Sequence, residues 1–410
     1  MKKIFSFLLA VLLIFLTACA GNNVEDVPET TVEKIKTDVA EPLSWEQINA
    51  IAIADDSMTE EQLRQICLDF MRLQLTFGWT PSQQVTYNNG SSEKTFYPGK
   101  VYGGIPYISV HFGNIYTAAE YCDPDNGVMD LSGGAETIDL FANQCSSATL
   151  WAWARVCNSV TYRFTWGALE KNGCLRVGEY TYPETLEKYS NMPTKDICVN
   201  NGMSVMFESY ALLEPADGIV NYSTAGHMRM IAAKPNVVRD ANGLIDGRKS
   251  TVTYLDQIAK WTETTQSNGI AYEVEGGVDV TVSFLDLFND GYLPFTMAEL
   301  NKEKPVDKGE VSFSCKDASV AVGALVDHTV TSNYAISDIT VCVKDADGKA
   351  VYEKTQIAYS EKLVNFTTQV NVASTVEDLT PYADGSHTVE ISVRIGTGEK
   401  LLAYSGTLTA

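Results

Sequence analysis

Two residues in this chain have types and settings suited to covalent chemistry. Cys145 opens the segment Asn143-Gln144-Cys145-Ser146-Ser147-Ala148-Thr149-Leu150-Trp151-Ala152-Trp153-Ala154-Arg155-Val156-Cys157, which reads as a nearly all-apolar helix running to about residue 158. A thiol at a helix N-terminus lies among unpaired backbone N–H groups at the positive end of the helix dipole, a setting that favours the nucleophilic thiolate. His227 stands downstream in Gly226-His227-Met228-Arg229-Met230-Ile231, at the head of a strand-like run. Acyl transfer needs a nucleophile, a base and a group that orients the base, and this pair supplies the first two.

His227 is chosen partly by elimination. The chain has four histidines, and His328 and His387 fall in a C-terminal β-rich region, while His111 sits in Ser109-Val110-His111-Phe112 without a comparable setting. The orienting group stays open among three residues. Asp256, at the end of a strand-like Thr251–Leu255, is preferred, with Asp240 and Gln257 as alternatives. Arg239 is nearby but cannot accept an imidazole N–H, whereas a carboxylate or amide oxygen can. The Cys145 backbone N–H and the Gln144 side-chain amide are candidate donors to an oxyanion. No C-x-x-C and no H-E-x-x-H occurs, so neither metal nor organic cofactor is expected.

These residues need elements to carry them. Ala148, Leu150, Trp151, Ala152, Trp153, Ala154 and Val156 leave no polar face, so the Cys145 helix should be buried against a sheet. Ser57-Met58-Thr59-Glu60 resembles a capping box ahead of a stripe at Leu63, Ile66, Cys67, Phe70, Leu73 and Leu75. Residues 80–140 are rich in Gly, Asn, Tyr and Pro with short strand-like pieces, and residues 170–200 read as irregular. A second helix is expected over Asn201–Tyr210. Strands are expected over Gly218–Tyr222, Met228–Ala233, Val237–Arg239 and Thr251–Leu255, with Asn242-Gly243 as a hairpin signal between the last two. Strand-like sequence then continues through Tyr272 to Phe284. Residues 301–309 read as a linker, and 310–410 as an all-β sandwich of about seven short strands, among them Phe366–Val372. Cys315 shares an apolar face with Val311 and Phe313, and Cys342 falls opposite Ile339, Val341 and Val343, a parity that argues against a bridge between them.

The chain's beginning and charge bear on location. Lys2 and Lys3, an apolar run from Ile4 to Phe15 and Leu16-Thr17-Ala18-Cys19 have the order of a secretory leader. Leu-Thr-Ala-Cys resembles a bacterial lipobox, which makes Cys19 the expected lipidation site. Residues 1–18 are then the signal peptide, 19–43 the lipidated cysteine with a flexible tether, and the protein is extracytoplasmic and held to the cell membrane or envelope by its lipid alone. The 410 residues carry a net charge of −22, which turns the chain away from nucleic acid and anionic surfaces. Nine cysteines are present; export permits disulfides, but their connectivity is not encoded in spacing alone.

Three ordered blocks resemble the NlpC/P60 family of papain-like cysteine peptidases. Gly104-Ile105-Pro106-Tyr107 is similar to G-x-P-Y, and Asn143-Gln144-Cys145-Ser146-Ser147 stands in the place of D-C-S-G. Leu213-Glu214-Pro215-Ala216-Asp217-Gly218-Ile219-Val220, followed by Gly226-His227-Met228-Arg229-Met230-Ile231, is similar to L-x-P-G-D-L-V-F followed by G-H-V-G-I-Y. Gln144 replaces the family's Asp, and Ser147 and Ala216 each replace a Gly. The resemblance implies that Tyr107 lines the oxyanion site through its hydroxyl. It implies an α+β papain-like domain over 44–300, with a helix packed on an antiparallel sheet, followed by an Ig-like sandwich. The activity it implies is a cysteine amidase or peptidase acting on cell-wall peptides or another peptide, with the sandwich free to take a glycan or protein ligand. The alternative is a non-catalytic surface-binding or scaffolding lipoprotein with a vestigial papain-like site.

Overall fold

A computed structural model describes residues 40–410 apart from 91, 110–112, 161–172, 182–192, 223–225, 266–270, 359–362 and 366–371. The leader, Cys19, His111 and most of the expected strand at 366–372 lie outside the described residues. Lys36–Ala410 is one compact unit, mixed in α and β, with two hydrophobic cores.

The first lobe begins with Ala40–Pro42 (β1), at the end of the segment read as a tether, which pairs in parallel with Phe77–Pro81 (β2). Between them lie helices Trp45–Ala50 (α1) and Glu60–Thr76 (α2). The capping box of α2 sits two residues later than Ser57 suggests. Thr59 is the N-cap, Gln62 is its reciprocal partner, and Ser57 is held instead by Asp55. Next come a hairpin of Val85–Asn88 (β3) and Glu93–Phe96 (β4), Tyr102–Gly103 (β5), helix Ile115–Tyr121 (α3), Val128–Met129 (β6), helix Ala135–Phe141 (α4) and the cysteine helix Cys145–Trp153 (α5). Cys174–Arg176 (β7), helix Thr194–Ala211 (α6, broken at Gly202), Gly218–Tyr222 (β8), Gly226–Asn236 (β9), Thr251–Thr265 (β10), Ala271–Ser283 (β11), helix Phe284–Asp290 (α7) and Leu293–Met297 (β12) complete the lobe.

One sheet runs β1-β2-β5-β11-β10-β9-β8-β12-β7, with β6 beside β2. Its centre, β11-β10-β9-β8-β12, is antiparallel. Helix α5 packs against β9, β10 and α2, and Trp151 and Trp153 are fully buried. This all-round burial is what a helix without a polar face requires. Two expectations are corrected here. Val237–Arg239 is not a strand: β9 turns into β10 through residues 237–250, where Asn242-Gly243 closes only a small turn bridged by Arg239 and Ile245. Helix α5 ends at Trp153 instead of about 158, because Arg155 is drawn inward to the carbonyls of Ile51 (2.8 Å) and Ala52 (3.1 Å) and to the Tyr116 hydroxyl (3.0 Å).

The second lobe is mostly β. Val311–Phe313 (β13), Thr329–Ser332 (β15) and Leu363–Asn365 (β18) form one sheet, in the order β13-β15-β18. Ser319–Ala321 (β14), Ile336–Lys344 (β16), Ala350–Ile357 (β17), Asp384–Ile395 (β19) and Lys400–Thr409 (β20) form the other, in the order β14-β20-β19-β16-β17. Helix Val372–Leu379 (α8) begins where the expected 366–372 strand was to end. The eight cysteines from Cys67 to Cys342 are all unpaired.

The lobes are joined at the far end of α5. The Tyr334 hydroxyl lies 3.2 Å from the Val156 carbonyl oxygen and 2.8 Å from that of Asp307. Tyr116 donates to the Gly396 carbonyl at 3.1 Å, and the Arg394 guanidinium sits 4.1 Å above the Trp45 ring. A Cβ at Gly396 would come within 2.6 Å of that of Ala154, so the close approach requires glycine.

Candidate functional site

Gln144 is the N-cap of α5 and Cys145 its first residue. Ser147 Oγ accepts from the Gln144 N–H at 2.9 Å, which closes the first turn. The departure from glycine at this position therefore caps the helix that carries the thiol. Asn143 bridges in parallel to Tyr107, with Ile108 N–H bonded to the Asn143 carbonyl at 2.8 Å and Asn143 N–H to that of Pro106 at 3.1 Å. The Gly104–Tyr107 block thus runs directly beside the residues leading into Cys145. Gln74 of α2 secures the same corner, donating to Ala148 O at 3.1 Å and accepting from Asn143 at 3.3 Å.

His227 lies near the start of β9 and Asp256 on β10. His227 Nε2 is 2.7 Å from Asp256 Oδ1, with side-chain exposures of 17% and 5%. The oxygen falls out of line with the ring N–H, so neither atom has a straight hydrogen-bond partner; with the ring protonated the contact is an ion pair. Burial favours the neutral ring. It is outweighed by hydrogen bonding and charge attraction from Asp256 and from the Cys145 sulfur, and the His227 pKa rises to about 9. The Asp256 carboxylate thus lies against the imidazole, and the Cys145 sulfur acts on the same ring.

A fault in the sheet places Asp256. Tyr254 pairs with Val280 and Asp256 with Gly277, so β11 carries an extra residue between them. Asp279 takes up that excess at φ 53° and is gripped by Arg72 of α2 at 2.6 and 2.7 Å. Gly276, at φ 113°, packs where a Cβ would run into the Asp256 carbonyl oxygen. Bulges of this kind re-aim side chains beside functional sites.

The two alternatives to Asp256 are placed elsewhere. Asp240 is exposed and caps its own turn by accepting from Asn242 and Leu244 N–H. Gln257 is buried and donates to the Ile105 carbonyl at 2.8 Å, tying β10 to the Gly104–Tyr107 block. Tyr107 and Gln144 are half-buried, with their backbones engaged as described beside Cys145. Asp217 is buried in an ion pair with Arg64 at 2.7 Å and also accepts from Glu214 N–H at 2.7 Å, so it caps a turn. Ala216 beside it adopts φ 67°, a left-handed conformation that ordinarily favours glycine.

Sequence reasoning missed Arg229. Its Nε lies 3.1 Å from Asp256 Oδ2, and its guanidinium stacks 4.3 Å from the Tyr254 ring and 4.6 Å from the Tyr292 ring. The available signal was its spacing: Arg229 is two residues from His227 on a strand, as Tyr254 is from Asp256 on the next. Burial raises Cys67 to about 12 and Cys198 to about 12, and pushes Cys157 well above the usual thiol range; those sulfurs are core residues. Among the described residues, no group of three or more His, Cys, Asp and Glu is placed to hold a metal, and no helix is long and apolar enough to cross a membrane. No protein-family model matches the chain, and no curated protein matches it.

Proposed function

We propose that the protein is a Cys–His–Asp amide hydrolase of papain-like arrangement. The observation that carries this reading is the His227 ring against the Asp256 carboxylate at 2.7 Å, with Cys145 at the head of α5 as the other group acting on that ring. In the reaction, Cys145 attacks a carbonyl carbon as the thiolate, paired with the His227 imidazolium. The oxyanion forms beside the first N–H groups of α5, which have no intrahelical partner. His227 passes its proton to the leaving amine as the C–N bond breaks. Water then gives a proton to His227 and its oxygen to the acyl carbon, releasing the acid and restoring the thiol.

Resemblance to NlpC/P60 supports cell-wall stem peptides as the substrate class, and the leader with Cys19 supports an extracytoplasmic, lipid-anchored location. The second lobe is read as an Ig-like sandwich. The scaffold alternative rests on the departures beside Cys145, yet Ser147 acts there as a helix cap and Ala216 keeps the glycine-type backbone. Purified protein should release new amine termini from peptidoglycan fragments, and Cys145→Ala should abolish the release without changing the circular dichroism. Hydrolysis that survives Cys145→Ala removes the nucleophile from the proposal, and no hydrolysis of any peptide by the wild type favours the scaffold.

A further inference from the structure

Asp256 has two oxygens and one task in the reading above, which is to face His227. A carboxylate on a strand can turn about its side-chain bonds, so something must fix which oxygen points at the ring. Oδ1 is on His227 at 2.7 Å and Oδ2 is on Arg229 Nε at 3.1 Å. Arg229 is itself immobilised: its side chain is 14% exposed, and its guanidinium is stacked between the Tyr254 and Tyr292 rings. Arginine suits this position because its planar group can stack and donate in one fixed plane, which a lysine ammonium cannot do.

We propose that Arg229 is a positioning residue of the site, holding Oδ2 of Asp256 so that Oδ1 stays on His227. The inference rests on the hydrolase reading and adds to it the device that aims the third residue. The ionisable groups bearing on His227 are Cys145 from α5, Asp256 from β10 and Arg229 from β9, with Tyr254, Tyr292 and Asp290 behind them. Burial raises both tyrosines above the usual phenol range, so they remain neutral around the cation.

The sign of one measurement separates positioning from mere proximity. Arg229 carries positive charge near a ring that is to hold a proton. As a simple neighbour it opposes that proton, and its removal would raise the pH at which His227 titrates. As a positioning residue it supports the proton through Asp256, and its removal does the reverse. The experiment follows the His227 ring by NMR of ring-labelled histidine against pH, in wild type, Arg229→Met, Arg229→Lys, Asp256→Asn and the Arg229→Met/Asp256→Asn double variant, beside iodoacetamide labelling of wild-type Cys145 at mildly acidic pH. Arg229→Met should bring the His227 titration down by about one pH unit, a tenfold change in its protonation equilibrium. Arg229→Lys, which keeps the charge and lacks the stacked fork, should fall in the same direction. The double variant should match Asp256→Asn alone, because Arg229 acts through that carboxylate. A His227 titration that is unchanged or moved upward in Arg229→Met and Arg229→Lys overturns this inference and leaves the hydrolase reading intact. Absence of selective Cys145 labelling in the wild type overturns both.

Discussion

Asp256→Asn is the most informative single change. It keeps the shape of the side chain and removes its charge. His227 is raised from 6.5 to about 9 although burial pulls the other way, a preference for imidazolium worth roughly 3 kcal/mol. Asp256 and Cys145 supply that preference together, so the variant keeps the opposing burial and loses one of two supports. The His227 titration, followed by NMR of its ring, should fall from near 9 to below 8, so the protonated fraction at pH 8.5 should drop about threefold or more. Cys145, which the imidazolium supports as the thiolate, should alkylate more slowly at mildly acidic pH, with core thiols such as Cys67 and Cys157 as internal references because burial holds them protonated. Stability moves with the same group. A histidine whose folded pKa lies above its unfolded one stabilises fully below about 6.5, and that contribution is lost as pH climbs through about 9. Wild type should thus lose more Tm than Asp256→Asn between pH 7 and 10. If a folded Asp256→Asn protein keeps the wild-type His227 titration, Asp256 does not govern His227 and the account of the site fails.

Gly276→Ala should cost about 1–3 kcal/mol, because it places a Cβ against the Asp256 carbonyl at φ 113°; urea unfolding measures the cost, and slowed Cys145 labelling shows that the fault in the sheet aims Asp256. Asp217→Asn leaves Arg64 buried without its counter-charge, which should lower stability by roughly 3–5 kcal/mol in the same titration. A loss below about 1 kcal/mol would mean that the pair is not structurally required.

The parts of this molecule that were legible in the sequence are those where one residue type or one period decides the outcome. Cys145 heads its helix, His227 leads its strand, Cys67 and the two tryptophans are core, and the alternation of Ile339, Val341 and Val343 falls on β16. The helices at 115–121, 135–141 and 284–290 were not legible, since each is seven residues long and is held mainly by burial. The choice among Asp256, Asp240 and Gln257 could not be made from spacing, because it depends on a bulge whose extra residue, Asp279, lies on the partner strand and is anchored by Arg72 from a distant helix. Glu275-Gly276-Gly277 was the visible trace of that bulge. Arg229 went unnoticed because a basic residue alternating along a strand has the appearance of a solvated face.

The helix that carries Cys145 opens at the candidate site and runs out against the second lobe. Just past its last turn, Ala154–Val156 is clasped by Gly396 and Tyr334. In evolutionary terms the second lobe is therefore no detachable cassette. A recombination that exchanged it would deliver a new surface only if it also reproduced a glycine against Ala154 and a hydroxyl for Val156. In folding terms, the contacts at Ala154 and Val156 couple the two cores, and the second lobe contributes to holding the helix that carries Cys145.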